Sequence, residues 1–171
     1  FDMGKTFRHE KYEDYKGGRD ETPNDLKVQF PVAKEILKAM GICYLEVQDY
    51  EADDIIGTYA KQIDDSNDYE GLIVSSDKDL LQLISEHNTV KLLKTKDSIM
   101  MTPTTFKEIY GVEPLRMTDL KGLMGDASDN IPGVKGIGEK TAIKLLTQYN
   151  NLENLYEHID EIKGATQRKL I

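Results

Sequence analysis

Cysteine occurs once, at Cys43, tryptophan is absent and histidine occurs three times in the 171 residues. A single cysteine excludes an intrachain disulfide and fits a reducing cytoplasm. His9, His87 and His158 have no ligand-like spacing, so we read them as structural. No run approaches the roughly 20 apolar residues that span a bilayer, and no basic-then-apolar leader is present, so neither membrane insertion nor export is expected. Positive charge is also scarce: 22 Lys and Arg stand against 31 Asp and Glu, a net charge of −9. That balance argues at first against a polyanionic partner. The argument fails if the acids are concentrated where divalent cations neutralise them. Their positions therefore matter more than their sum.

Apolar residues at 39% and charged residues at 31% mark a soluble globular chain, long enough for one ordinary domain or two small ones. Phe1–Asp2 reads as the end of a strand, and with no initiator methionine the chain reads as part of a longer one. Residues 5–20 are polar and carry Gly17–Gly18, which predicts a mobile, solvent-facing segment. Thr22–Pro23 opens a helix whose apolar series Leu26, Phe30, Val32, Ala33, Ile36, Leu37 and Met40 stops at Gly41. Ile42–Leu45 reads as a short buried strand. Residues 51–63 form a second helix with Ile55, Ile56, Tyr59 and Ala60 inward. Gly71–Ser75 is the clearest strand, a short helix follows around Leu80–Ile84, and Val90–Leu93 is a further strand. Strands alternating with helices predict an α/β fold with a mostly parallel sheet flanked by helices. From Thr102–Pro103 onward only helices are expected: one there, one through Thr118–Leu120, then Glu139–Tyr149, Asn151–His158 and Ala165–Leu170. The boundary between a catalytic portion (1–101) and a helical portion (102–171) is placed accordingly.

Four acidic clusters fall where such a fold builds sites. Asp2 follows the first strand end. Glu51, Asp53 and Asp54 open a helix, Asp77 and Asp79 follow the clearest strand, and Asp126 and Asp129 stand three apart, so that one helical turn would present both on one side. Taken singly, each cluster is better read as a helix cap or a polar turn than as a site. Jointly, strand ends and helix starts converge on one sheet edge, and like charges gathered there must protonate or bind cations. Oxygen ligands without His or Cys favour Mg²⁺ or Mn²⁺ over zinc, and this many acids suggest two ions or more. Two ions about 4 Å apart suit phosphodiester hydrolysis, one activating water and the other stabilising the leaving oxygen.

Residues 131–144 read IPGVKGIGEKTAIK. Gly133, Gly136 and Gly138 permit a tight turn with exposed amides, and Glu139 begins a helix whose N-terminus is partly positive. Lys135, Lys140 and Lys144 add cations. The spacing matches neither the P-loop nor the dinucleotide fingerprint, so it reads as a helix-hairpin-helix that holds phosphate without reading bases. Arg8, Lys11, Lys16 and Arg19 interleave with Phe7, Tyr12 and Tyr15, a pattern suited to single-stranded nucleic acid, although composition alone favours a solvated loop of mixed charge.

The segments FDMGKTFRHEKYEDYKGGR, YEADDIIGT, SSDKDLLQL and LKGLMGDASDNIPGVKGIGEKTAIKLL together resemble the 5′-nuclease (flap endonuclease-like) domain of bacterial family A DNA polymerases and the similar stand-alone 5′–3′ exonucleases. The resemblance runs in order over essentially the whole chain. It implies a PIN-like α/β nuclease domain followed by a helical domain with a helix-three-turn-helix. It further implies hydrolysis of DNA at 5′ flaps, nicks, free 5′ ends and single-strand/duplex junctions, in replication and repair. On this match Asp2, Glu51, Asp53, Asp54, Asp77, Asp79, Asp126 and Asp129 are metal-site acids. Arg8 lies near the scissile phosphate, and Arg8 or Lys16 stabilises its charge. Lys16 and Arg19 belong to an arch over the 5′ strand, with Tyr15 stacking nearby. Gly133, Val134, Lys135, Gly136, Ile137, Gly138, Lys140 and Thr141 form the turn that holds the duplex, with K⁺ on its carbonyls. The family carries a further metal-binding Asp on a first strand that precedes the region matched here, and FDMGK–TFRHE is one residue shorter than the family pattern. The implied protein is a cytoplasmic monomer, either fused to a polymerase or free-standing. Three other readings stay open: a DNA-binding module with an incomplete nuclease site, a PIN-type ribonuclease, which the glycine-rich hairpin disfavours, and a cation-binding structural protein, which leaves the phosphate grip unexplained.

Overall fold

The computed structural model describes residues 1–66, 68–162, 164, 166 and 170. Two compact units emerge, Phe1–Ile55 with Ser128–Asn130, and Ile56–Ala127 with Ile131–Ile171.

The first unit contains α1 (Phe7–Lys11), α2 (Asn24–Lys27), α3 (Gln29–Ala39) and the start of α4 (Ala52–Ser66). Its buried residues are Thr6, Tyr15 and Glu51, so polar contacts rather than an apolar core organise it. The segment expected to be mobile and solvent-facing is largely exposed, and it makes hydrogen bonds at Thr6, Phe7 and Lys16. Thr6 N–H donates to His9 Nδ1 at 3.1 Å, Phe7 N–H to the Asp49 carbonyl at 3.1 Å, and Lys16 N–H to the Asp129 carbonyl at 3.1 Å. Along α2 and α3, Leu26, Phe30, Val32, Ile36 and Met40 are exposed, although their periodicity predicts a core face. Ile42–Leu45 is likewise exposed and belongs to none of the described strands. A strand requires a ladder partner, and these residues have none among them.

The second unit is mixed α/β. Strands β1 (Gly71–Ser75), β2 (Asn88–Leu93) and β3 (Ser98–Met101) form a sheet in that order. β1 pairs with β2 in parallel, Gly71 opposite Asn88, and β2 pairs with β3 antiparallel, Val90 opposite Met101. The parallel pair needs a crossover, which a 3₁₀ helix at Asp79–Leu83 helps supply. β3 escapes prediction because its hairpin, closed by Lys94 N–H to the Asp97 carbonyl at 2.8 Å, carries no Asn-Gly or Asp-Gly signal. Gly71 has a packing reason: a Cβ there would stand 2.2 Å from Asn88 Oδ1.

After Met101 come α5 (Pro103–Tyr110), α6 (Met117–Met124), α7 (Glu139–Tyr149) and α8 (Leu152–Glu157). Thr102 Oγ1 accepts from Thr105 N–H, Pro103 occupies the first turn, and Gly111 ends α5 at φ 71°. The apolar core lies in this unit, where Val90, Met101, Phe106, Leu120, Leu123, Leu146 and Leu155 share one cluster running from sheet to helices. On α4, Ala60 is buried as expected but Tyr59 is half exposed. Of the helix expected at Ala165–Leu170, residues 165 and 167–169 lie outside the described ones. No helix among the described residues is long and apolar enough to cross a membrane.

Candidate functional site

In the first unit, three cations of the 8–19 segment sit on three carboxylates. Arg8 donates from both terminal nitrogens to Asp54 Oδ1 and Oδ2, each at 2.7 Å. Lys16 Nζ donates to Glu51 Oε1 at 2.9 Å, and Arg19 donates to Asp129. Lys16 reaches this position from a left-handed backbone, φ 56°. The hydrogen bond from Arg8 holds the Asp54 carboxyl below the usual range, and the same bond raises the Arg8 guanidinium.

Tyr15, placed in the stacking position by resemblance, is only 7% exposed. Its hydroxyl lies 3.1 Å from Glu51 Oε2 and 3.2 Å from Asp129 Oδ2, with one proton to donate between them. Its ring meets His9 edge-on, so this conformation does not present it to a base. Burial pushes the Tyr15 phenol well above its ordinary pKa, and the charges of Glu51 and Asp129 push the same way. It therefore remains a donor.

Asp2 and Asp54 also cap α4: Ala52 N–H donates to Asp2 Oδ1 at 2.6 Å and Glu51 N–H to Asp54 Oδ2 at 2.9 Å. Asp53 is exposed in the first turn.

In the second unit, Asp77 caps the 3₁₀ helix by accepting from Asp79 N–H at 2.8 Å. Asp79 Oδ1 is 2.6 Å from Lys121 Nζ, which also donates to Asp126. Burial alone would lower the Lys121 pKa, but the carboxylates of Asp126 and Asp79 outweigh it and raise the ammonium above its ordinary value. Sequence alone does not single out Lys121, whose signal is a lysine between Leu120 and Leu123, both buried, five residues before an acid.

Asp126 and Asp129 do not share a helical turn. Asp126 forms a reciprocal bridge with Ile131 (N–H to carbonyl at 2.9 and 2.8 Å), and Asp129 belongs to the other unit. Among the described residues, no three His, Cys, Asp or Glu are gathered as a metal shell. The donor chemistry nevertheless fits a hard divalent ion: all-oxygen groups grouped around positive charge. In this conformation the positive charge is supplied by Arg8, Lys16, Arg19 and Lys121.

The glycine-rich turn joins α6 to α7. Val134 N–H donates to the Leu123 carbonyl at 2.8 Å and Ile137 N–H to the Val134 carbonyl at 2.9 Å. Buried Ile137 anchors the turn in the core, leaving Lys135, Gly136, Gly138, Lys140 and Lys144 on the surface. Gly136 is left-handed at φ 79°, and Gly138 caps α7. This is a helix-hairpin-helix, with Thr141 half-buried in the first turn of the second helix.

Residues 1–111 match the family model described as the 5′–3′ exonuclease N-terminal resolvase-like domain, and residues 112–171 match the 5′–3′ exonuclease C-terminal SAM fold. DNA polymerase I of Bacillus caldotenax is 53% identical over 174 residues, covering 100% of this chain and 20% of the relative. The chain thus spans about a fifth of the length of such relatives. Among solved structures, T5 5′-exonuclease with bound divalent zinc ions superposes with a TM-score of 0.76 at 26% identity, over 99% of this chain and 66% of that one. A bacteriophage T5 flap endonuclease in a pseudo-enzyme-product complex with DNA and metal ions also has a TM-score of 0.76, at 25% identity over 99% and 66%. The fold, the hairpin and the match along its full length agree: this chain belongs to the 5′–3′ exonuclease family.

Proposed function

We propose that the chain is the DNA-hydrolysing part of a structure-specific 5′-nuclease that cuts at 5′ flaps, nicks and single-strand/duplex junctions with two or more divalent ions, Mg²⁺ or Mn²⁺. The observation that carries the proposal is the grouping of acids around cations: Glu51, Asp54 and Asp129 about Arg8, Lys16 and Arg19, and Asp79 and Asp126 about Lys121. Carboxylates so collected are built to neutralise positive charge.

Asp2, Glu51, Asp53, Asp54, Asp77, Asp79, Asp126 and Asp129 are the acids that would hold the metals. Bound divalent ions supply an activated water and offset charge on the scissile phosphate. Arg8 and Lys16, once off their carboxylates, carry the charge to stabilise the same phosphate. The Tyr15 hydroxyl orients Glu51. The turn at 133–141 would grip the duplex backbone through its amides, Lys135 and Lys140, with K⁺ on its carbonyls. We take residues 1–101 as the catalytic portion and 102–171 as the DNA-binding portion of a cytoplasmic, monomeric protein fused to a DNA polymerase, as its relatives' names suggest.

The test is incubation of the full-length protein with a labelled 5′-flap duplex, with and without Mg²⁺. The expected result is metal-dependent cutting near the junction. Tight binding without cutting would leave a DNA-binding module, and preference for RNA would leave a ribonuclease.

A further inference from the structure

Lys121 joins two carboxylates that lie far apart in sequence. Asp79 heads the 3₁₀ helix after β1, and Asp126 follows α6. The three side chains are half-buried to nearly buried, at 27% exposed for Lys121, 35% for Asp79 and 12% for Asp126. An ammonium in contact with both carboxylates offsets both negative charges at once. The same oxygens are candidates for divalent-ion binding.

We propose that Lys121 is an internal counter-ion for Asp79 and Asp126, displaced when a divalent cation binds; the proposal rests on the metal-dependent reading above. A divalent ion among those oxygens and an ammonium touching them repel at close range, so the two occupancies exclude one another. Two consequences follow. The second unit keeps its fold without metal because Lys121 neutralises the acids, and metal binding is weakened by the work of displacing the ammonium. The alternative is a fixed ion pair that fastens α6 to the 3₁₀ helix and takes no part in metal binding.

The deciding measurement is acetylation of lysine amines in the full-length wild-type protein, quantified by peptide mass spectrometry with and without Mg²⁺. Lys121 should become several-fold more reactive when Mg²⁺ is added. Lys61, an exposed lysine paired with Asp65 one turn along α4, serves as the unchanged control. In calorimetric titrations with Mg²⁺ alone, Lys121→Met should bind about tenfold more tightly than wild type, one ion-pair-sized interaction. Lys121→Arg, which keeps the charge, should stay near wild type. Equal protection of Lys121 in both conditions, or no gain in affinity for Lys121→Met, would overturn the proposal. If Mg²⁺ binds and flap cutting persists while Lys121 stays protected, only the counter-ion idea fails; if no Mg²⁺ binds, it falls together with the metal-dependent reading. Should Lys121→Met not fold, acetylation of the wild type still decides.

Discussion

Replacing Gly133 by alanine should destabilise the protein by about 3 kcal/mol, a loss worked from three backbone hydrogen bonds at about 1 kcal/mol each. A Cβ on Gly133 would stand 2.2 Å from Gly125 N and from Met124 C, and 2.6 Å from the Met124 carbonyl oxygen. All three are backbone atoms, so no rotamer change relieves the clash, and the two segments must part by roughly 1 Å to reach ordinary contact. The bonds lost are the reciprocal pair between Asp126 and Ile131 and the Val134–Leu123 bond. For a chain of this size the melting temperature should fall by about 6–12 °C. Gly57→Ala provides a contrast of opposite sign. It sits inside α4, its Cβ would meet only Leu83 Cδ2 at an ordinary 3.7 Å, and alanine there should stabilise by about 0.5–1 kcal/mol. Urea and thermal unfolding of both variants gives the comparison. Gly133→Ala unfolding within about 1 kcal/mol of wild type would refute the close-approach argument.

Three further outcomes follow from the same structure. Lys140→Ala should weaken duplex binding for all sequences alike and reduce the slope of log affinity against log salt by about 0.9, read from binding titrations at several salt concentrations. An unchanged slope would remove Lys140 from the phosphate contacts. In EDTA, the partly exposed Arg8–Asp54 pair should stabilise by about 1 kcal/mol at neutral pH. Because the folded Asp54 pKa lies below its unfolded value of about 4, this contribution is complete above that pH and vanishes as pH falls through the folded value. The stability gap between wild type and Asp54→Asn should therefore close on acidification, and a gap constant from neutral to strongly acidic pH would contradict the pairing. Thr102→Ala should cost about 1 kcal/mol, because it orphans the Thr105 N–H at the head of α5; unfolding within a few tenths of wild type would show the cap to be idle.

Much of the second unit is legible in the sequence because its signals are local. Gly71–Ser75 is a short apolar run bounded by turns, Thr102–Pro103 is a cap followed by the residue that suits a first turn, and Glu139–Tyr149 repeats its apolar residues at helical spacing after Gly138. Each of these needs only its own segment to be recognised. The first unit is less legible because what decides it is not local. The stripe Leu26–Met40 is apolar at helical spacing, yet periodicity reports what a face wants and not what covers it, and that face stands exposed. Ile42–Leu45 has strand composition but no ladder partner among the described strands. Composition makes Tyr15 a surface aromatic among charges; contacts from Glu51 and Asp129, far away in sequence, make it a buried donor. At the candidate site, residue types were readable and their partners were not. Motifs mark the acids, but nothing in the sequence shows that Arg8, Lys16, Arg19 and Lys121 lie against Asp54, Glu51, Asp129, Asp79 and Asp126.

The most direct measurement is the rate at which Asp77→Asn and Asp126→Asn cut a 5′-flap duplex in Mg²⁺, alongside circular dichroism to show that each variant is folded. Loss of several orders of magnitude in rate with the fold retained is the predicted result. Folded variants that cut at the wild-type rate would contradict it.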